Sequence, residues 1–281
     1  MKRILAISGG VDSMVLLDQI FREFGGADIV VAHFDHGTRP SSSDDAEFVR
    51  RAAAQYDLPF VLGQAELGPN ASEEEARYSR YEFFSAVAAK YGGEIYTAHH
   101  TNDLIESMAI NLVRGTGWRG LAPFGNLEIQ RPFISGDLAM SKQDILRYAA
   151  SHEIVFRQDP TNTDERYLRN RLRHEANNLS SGTRDKLLKI YHEMNNLRGE
   201  IDGILAEILP EDGRYERAWF SDLDDSVALE ILRAGLLRAG VSATRPQILD
   251  FLSAIRTYGS GKKFNLPGDR LVRFTKSSFV L

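Results

Sequence analysis

The chain has 281 residues, a formal net charge of −5, 43% hydrophobic and 26% charged residues, and no cysteine. Such a composition is typical of a globular protein, and no run approaches the roughly 18 apolar residues of a membrane span. The absence of cysteine excludes disulfides, thiolate metal sites and any reaction that passes through a cysteine persulfide. Because the first residues enter a strand directly, we expect no signal peptide, no membrane partner and a cytoplasmic location.

Apolar runs alternate with helical patterns through the first half of the chain. The runs have the length of strands buried on both faces and lie at 3–7, 29–34, 60–62 and 95–98. Helical patterns follow them, near 13–24, 43–56, 71–91 and 102–114. This alternation predicts an α/β fold with a doubly wound parallel sheet. Ligands of such sheets lie beyond the carboxyl ends of the strands, so the loops after the runs form the candidate site.

The first of these loops reads Ser8-Gly9-Gly10-Val11-Asp12-Ser13 and leads into a helix from Ser13. Two glycines allow a tight turn and close approach of the backbone to a ligand, and the loop N–H groups with the helix N-terminus suit phosphate. Ser8 and Ser13 can add hydroxyl donors, and Asp12 can hold Mg²⁺. No lysine follows, so this is not the common NTPase loop. The alternative interpretation is a glycine-rich turn capped by serine.

Polar residues also follow the second and fourth runs, as Asp35-His36-Gly37-Thr38-Arg39 and His99-His100-Thr101-Asn102-Asp103. We expect these loops to converge with the first on one crevice. Asp103 and Glu106 are three residues apart on a predicted helix and share a face, although acids are also common at a solvated helix start. The adjacent histidines diverge in direction, so we do not expect them to ligate a metal together.

Two arginine-containing stretches come next. Arg77 lies on the helix 71–91, where a charged surface face is the ordinary explanation. Arg114-Gly115-Thr116-Gly117-Trp118-Arg119-Gly120 ends the helix 102–114. Its glycines can simply cap and turn the chain, but an arginine in a glycine loop also suits a phosphate or a nucleobase.

Positive charge is concentrated in the second half, against the acidic whole. Segment 166–189 holds seven Lys/Arg and two Asp/Glu, and segment 256–281 holds six and one. Local patches of this kind decide phosphate contacts. Helices are predicted at 164–178, 182–209, 225–239 and 246–257, followed by short strands at 262–266, 270–275 and 279–281 with a Leu-Pro-Gly-Asp turn. We expect a catalytic domain at 1–180, a helical linker at 181–213 and a smaller, mostly helical domain with short strands at 214–281.

The loop 8–13 resembles the PP-loop of the N-type ATP pyrophosphatases, which share the adenine nucleotide alpha hydrolase-like fold. Over 1–178 the chain more specifically resembles the tRNA(Ile)-lysidine synthetases, through motifs at 8–13, 33–39, 76–81, 97–107, 114–121, 131–132, 159–162 and 169–173. Three positions depart from the family pattern: Thr38 replaces an apolar residue, Asn102 replaces Asp, and Ser107 replaces Thr. Asn102 weakens the case for metal binding by two adjacent acids.

This resemblance implies an Mg²⁺-dependent ligase in which ATP adenylates O2 of the wobble cytidine of tRNA(Ile) with anticodon CAU. The amine of free L-lysine then displaces AMP at C2. It further implies catalytic, ATP-binding, metal-binding and tRNA-binding residues. The expected catalytic residues are Asp12, Arg77, Asp103 and Glu106, of which Asp12 and Asp103 are also the expected metal ligands. The expected ATP-binding residues are 8–13, His33, Phe34, His36, Arg114, Gly115 and Gly117. The expected tRNA-binding residues are Arg169, Arg171, Arg173, Lys262, Lys263 and Arg273. Lys262, Lys263 and Arg273 are added to the tRNA-binding residues for the local positive charge of the domain 214–281, which loosely resembles the family's small substrate-binding domain and which we expect to bind tRNA. We assign Asp103 to Mg²⁺ or the adenylate and Glu106 to the lysine amine.

Other functions stay open at this stage. Thiolation of tRNA by other PP-loop proteins needs cysteines for sulfur transfer or an iron–sulfur cluster, and the chain has none. NAD and GMP synthetases need no basic C-terminal stretch. A further PP-loop adenylating ligase, acting on tRNA or a small molecule, and a non-catalytic nucleotide-binding module are the remaining alternatives. The oligomeric state is undetermined, with a homodimer as one alternative.

Overall fold

The structure is a computed structural model, and it describes residues 1–35, 37, 42–65, 73–125, 129–157, 172, 175–176 and 179–281. The chain divides into two compact units, Met1–Tyr191 and His192–Leu281. Within the described ranges, no helix is long and apolar enough to cross a membrane.

The first unit contains a five-stranded sheet of strand order β3-β2-β1-β4-β5 in which all neighbours are parallel. The strands are β1 (Lys2–Ala6), β2 (Ile29–Asp35), β3 (Phe60–Gln64), β4 (Gly93–Tyr96) and β5 (Ile129–Gln130). The helices are α1 (Val11–Phe24), α2 (Ser42–Gln55), α3 (Glu73–Tyr91), α4 (Thr101–Val113) and α5 (Lys142–Ser151). The predicted doubly wound parallel sheet is therefore confirmed.

Helices cover both faces of this sheet because successive strand residues point to opposite sides. Leu5 packs in a core with apolar residues of α1, α2 and α5, whereas Ile4 packs with residues of α3. The strand order reverses between β1 and β4, so the carboxyl ends of these two strands flank the crevice where ligands bind in such sheets.

Some boundaries differ from the sequence prediction. Helix α1 begins at Val11 rather than Ser13, so Asp12 lies in its first turn. Strand β4 ends at Tyr96, which leaves Thr97 and Ala98 in the loop. The sequence pattern gave no indication of β5 or α5. A two-residue strand is too short to produce a periodic signal.

The second unit is mostly helical with short strands. Helix α6 (Ser181–Ile208) begins within the first unit and continues into the second. The elements after it are β6 (Arg214–Glu216), α7 (Arg217–Asp222), α8 (Asp225–Arg238), α9 (Arg245–Thr257), β7 (Lys263–Leu266), β8 (Arg270–Arg273) and β9 (Ser278–Val280). Strand β6 pairs with β9, and β7 pairs with β8 in a hairpin. Gly268 in the hairpin turn has a φ of +73°, the sign that the predicted Pro-Gly turn requires. The core is aromatic, with Phe220, Phe251, Phe274 and Phe279 almost fully buried.

Candidate active site

The glycine loop after β1 is held in shape by the hydroxyl of Ser13. This Oγ accepts the N–H groups of Ser8 at 3.2 Å and Gly9 at 3.1 Å, and it donates to the Gly10 carbonyl at 2.9 Å. Gly9 has a φ of +91°, a conformation that favours glycine, and it lies against Phe48 of α2. Ser13 was expected to offer its hydroxyl to a ligand, but here the hydroxyl is engaged within the loop, and the residue is 4% exposed.

A cavity of about 370 Å³ opens at the carboxyl end of the sheet, beside this loop. The loops after β1 and β4 and the end of strand β2 line it, together with residues of α2, α3 and the start of α4. Six of the predicted site residues meet there, namely Ser8, Asp12, Ser13, His33, Phe34 and Asp103. Of the three loops that the sequence analysis expected to converge, the first and the third therefore line a single cavity, whereas of the second only Asp35, the last residue of β2, lines it, and His36, Thr38 and Arg39 lie outside the described residues.

His33 and Phe34 form the side of the cavity built by β2. The His33 Nδ1 lies 2.7 Å from the Ile7 carbonyl, which fixes Nδ1 as the protonated nitrogen. Burial lowers the pKa of His33, opposed by that hydrogen bond, so the ring is neutral at pH 7 and its Nε2 is an acceptor. An aromatic ring next to a neutral imidazole, close to a phosphate-type loop, provides the stacking surface and hydrogen bond that a nucleobase needs.

Asp12 faces a lysine that the sequence analysis did not identify. Its Oδ1 lies 2.5 Å from the Nζ of Lys142 and 3.8 Å from the Nε2 of His100. Lys142 is the first residue of α5, where the helix dipole disfavours a cation. The sequence does contain a signal for Lys142, because Ser141 and Asp144 form a capping box that marks a helix start. A lysine in the first turn of a helix is unfavourable for the helix, which suggests that it has another role.

The start of α4 is fixed by a capping box. The Nδ1 of His100 accepts the N–H of Asp103 at 3.4 Å, and the Oδ2 of Asp103 accepts the N–H of His100 at 3.0 Å. Asn102 binds elsewhere, since its Oδ1 accepts the N–H of Lys142 at 3.1 Å and its Nδ2 donates to the Ala176 carbonyl. The amide of Asn102 therefore joins α4 to the start of α5.

The two acids of α4 differ in exposure. The Asp103 side chain is 29% exposed and lines the cavity. Glu106, one turn along the same helix, is 3% exposed and is not among the residues that line the cavity. Of the two, Asp103 is the carboxylate that a ligand in the cavity meets first.

His99 lies between this cavity and a second one. Burial lowers its pKa to about 4 despite the opposing effect of the Asp103 carboxylate, so the ring is neutral at pH 7. Its Nδ1 is 2.9 Å from the Thr97 hydroxyl, and its ring packs on Phe124. The second cavity measures about 310 Å³ and has Arg77 and Arg131 in its wall. Arg77 thus lies beside the main cavity rather than within its lining.

Arg114, Gly115 and Gly117 lie at the opposite end of α4 from Asp103. Arg114 caps the C-terminus of the helix, and both glycines have positive φ. At 1.5 Å per residue, Arg114 is roughly 16 Å along the axis from Asp103. None of these three residues lines the main cavity, and their predicted contact with ATP stays a prediction.

The remaining predicted residues fall in two places. His36, Arg169, Arg171 and Arg173 lie outside the described residues. Lys262, Lys263 and Arg273 are exposed in the second unit. Lys263 and Arg273 face each other as a direct pair between β7 and β8. Two like charges directly opposite each other destabilise a hairpin, and a nearby anion relieves their repulsion. This arrangement is therefore compatible with a contact to phosphate.

The cavity suits Mg²⁺ only together with a substrate. Among the described residues, no group of three or more His, Asp or Glu could hold a metal alone. Mg²⁺ is usually held by one or two carboxylates plus substrate phosphates, and Asp12 and Asp103 line one cavity. Among the described residues, the lining has four carboxylates, those of Asp12, Asp35, Asp45 and Asp103, and one arginine, Arg80. Two of these carboxylates are paired with cations, Asp12 with Lys142 and Asp45 with Arg157. A divalent cation would offset the charge of a triphosphate beside these carboxylates, and the donors present fit that requirement.

Similarity to solved structures concerns the fold alone. The U34-tRNA thiolase NcsA from Methanococcus maripaludis superposes with a TM-score of 0.60 at 14% identity, over 70% of this chain and 73% of that one.

Curated relatives of this chain are tRNA(Ile)-lysidine synthases. The protein of Geobacter sulfurreducens is 38% identical over 182 residues, which is 61% of this chain and 38% of the relative. The protein of Solibacter usitatus is 34% identical over 239 residues, which is 82% of this chain and 49% of the relative. The protein of Thermotoga maritima is 37% identical over 183 residues, which is 61% of this chain and 43% of the relative. The chain thus spans less than half the length of each. Residues 1–179 match the family model of the PP-loop domain, and the chain belongs to that family.

Proposed function

We propose that the chain catalyses ATP-dependent ligation of lysine to C2 of the wobble cytidine of tRNA(Ile) with anticodon CAU. The observation that carries this proposal is the single cavity in which the glycine loop, Asp12, Asp103 and the neutral imidazole of His33 meet. Its relatives with that name support the choice of reaction. The proposed location is the cytoplasm.

The reaction has two steps. In the first, O2 of the cytidine attacks the α-phosphate of ATP and pyrophosphate leaves. In the second, the neutral ε-amine of lysine attacks C2, AMP leaves, and a proton is released from the nitrogen. No nucleophile from the protein is needed, so the side chains act by positioning reactants and by balancing charge.

The cavity residues divide this work. The loop 8–13 places the phosphates at the start of α1, where N–H groups and the helix dipole favour anions. We assign the ring of Phe34 and the Nε2 of His33 to the adenine, because both residues line the cavity. Asp12 and Asp103 would hold Mg²⁺, which supplies charge neutralisation on the phosphates. His99, kept neutral by burial, adds no positive charge beside the incoming amine.

Lysine arrives as an ammonium and must lose a proton before it attacks. We assign Asp103 to Mg²⁺ or the adenylate because it lines the cavity, and Glu106 to the lysine amine. Because Glu106 is buried, this assignment requires the lysine chain to pass alongside α4. Glu106→Gln should then release pyrophosphate with tRNA present but need far more lysine, whereas Asp103→Asn should lose the adenylation step. If both variants lose adenylation with unchanged lysine dependence, the two acids form a shared metal site instead.

We further propose that tRNA contacts the basic residues of both units, with Lys262, Lys263 and Arg273 on the second. The decisive experiment incubates the protein with total tRNA, ATP and labelled lysine. We expect label in one isoleucine tRNA only, dependent on ATP and matched by one pyrophosphate per lysine incorporated. Label in no tRNA, while ATP is still converted to AMP, would indicate another PP-loop ligase. Bound ATP without turnover would indicate a nucleotide-binding module.

A further inference from the structure

Lys142 provides a cation next to the cavity, because it pairs with Asp12, which lines the cavity, although Lys142 itself is not among the lining residues. Its Nζ is 2.5 Å from the Asp12 Oδ1, and the side chains of Lys142 and Asp12 are 30% and 34% exposed. The pair is therefore accessible to solvent, and ion pairs of this kind contribute only about 0–1 kcal/mol to stability. Stabilising the fold is thus a weak explanation for a lysine at a helix start where the dipole opposes it.

The main chain of Lys142 is fixed while its ammonium is free to change partner. Asn102 accepts its N–H from the start of α4, at 3.1 Å. Six residues further along α5, the Tyr148 hydroxyl donates to Asp18 at 2.6 Å. Asp12 and Asp18 are likewise six residues apart on α1, so two contacts of equal spacing join α1 to α5.

The second of these contacts is partly buried. Asp18 is 2% exposed and also accepts hydrogen bonds from Tyr56 and Arg22. Burial and the bond to Asp18 raise the pKa of Tyr148 to about 12, so its hydroxyl stays a donor at neutral pH. The stem of Lys142 therefore starts from a set position, and its four-carbon chain allows the ammonium to move by several ångströms.

This ammonium supplies what the glycine loop lacks. The common NTPase loop carries its own lysine, which reaches the terminal phosphates, whereas the loop 8–13 has none. We propose that Lys142 binds the β- and γ-phosphates of ATP and exchanges the Asp12 carboxylate for phosphate oxygens as the nucleotide enters. Once Asp12 binds a divalent cation, the ammonium is repelled by that cation and attracted by the phosphates. This inference rests on the proposed use of ATP in the main cavity.

Titration calorimetry with ATP and with AMP tests the proposal on the whole chain, each with Mg²⁺ and with EDTA. We expect Lys142→Met to weaken ATP binding about tenfold or more in both conditions, because a charge-assisted bond to phosphate is lost. AMP binding should change less than about twofold, because AMP lacks the β- and γ-phosphates. Lys142→Arg should recover part of the ATP affinity. Arg147→Ala removes an exposed cation of the same helix and should change neither affinity.

Each other outcome overturns the proposal in a distinct way. Weaker ATP binding only with Mg²⁺ would mean that Lys142 acts through Asp12 and not on phosphate. Equal weakening of ATP and AMP would mean that it maintains the shape of the cavity, and no change would make it a surface ion pair. A wild-type protein that binds neither nucleotide would instead refute the proposed function, so the two failures are distinguishable.

Discussion

Removing the Ser13 hydroxyl should damage the glycine loop from within. In Ser13→Ala, the buried N–H of Gly9 loses its acceptor and the Gly10 carbonyl loses a donor, while the N–H of the exposed Ser8 can turn to water. A buried N–H without a partner costs about 1–3 kcal/mol and the lost bond to the carbonyl about 1 kcal/mol. We therefore expect a loss of about 2–4 kcal/mol in the free energy of unfolding.

Urea denaturation measures that loss, and ATP titration measures its effect on the site. If the variant must spend about 2 kcal/mol of free energy to bring the loop into the conformation that binds ATP, its affinity for ATP falls roughly thirtyfold. Ser8→Ala is the matched comparison, because within the part of the chain that the structure describes the Oγ of the exposed Ser8 bonds only to Ser13 Oγ at 3.1 Å and to the Gly10 N–H at 3.4 Å. It should change stability by less than about 1 kcal/mol. Unchanged stability of Ser13→Ala with lost ATP binding would refute this reasoning and make the hydroxyl a donor to phosphate, as the sequence suggested.

Three further predictions concern charge. Asp12→Asn should lower the rate of pyrophosphate release by orders of magnitude with an unchanged melting temperature, because a metal ligand is lost. Pyrophosphate release at the wild-type rate would exclude a role of Asp12 as metal ligand. Burial raises the pKa of Asp18, but hydrogen bonds from an arginine and two tyrosines outweigh it, so the pKa in the folded protein lies below the ordinary value of 3.8. The ionised carboxylate therefore stabilises the fold fully above pH 3.8, and this stabilisation is lost as the pH falls through the pKa of the folded state. Urea denaturation between pH 6 and about pH 3 should therefore show a shallower loss for Asp18→Asn than for wild type. Replacing Lys262, Lys263 and Arg273 by Ala should reduce the salt slope of tRNA binding by up to about two or three units with ATP affinity unchanged; an unaltered slope would make them ordinary surface residues.

The architecture of the first unit was predictable because parallel strands buried on both faces appear in sequence as continuous apolar runs. Residues 29–34 illustrate this, since every residue of β2 except Phe34 is buried. Strand β5 escaped prediction because it has two residues, and helix α5 because it follows no recognisable strand. Turn chemistry was informative in the second unit, where Pro267 and Gly268 predicted the β7–β8 hairpin.

The candidate site was predictable where the residues lie at or just beyond the carboxyl end of a strand. Ser8, His33, Phe34 and Asp103 could be placed at one cavity because the carboxyl ends of parallel strands share an edge of the sheet. Which group each side chain contacts could not be predicted. The inward hydrogen bonds of Ser13 depend on a loop conformation that a sequence pattern does not specify.

The partner of Asp12 is the clearest case of information that arises only in three dimensions. Lys142 is 130 residues away, and its approach depends on the register between α1 and α5, which Tyr148 and Asp18 set by a separate, partly buried contact. No local pattern encodes such a register, because it results from how two helices pack on one face of the sheet. The sequence describes Asp12 as a metal ligand and the structure shows it paired with an ammonium. Both descriptions fit the exchange proposed above, in which the Asp12 carboxylate would give up a monovalent partner for a divalent one on nucleotide binding.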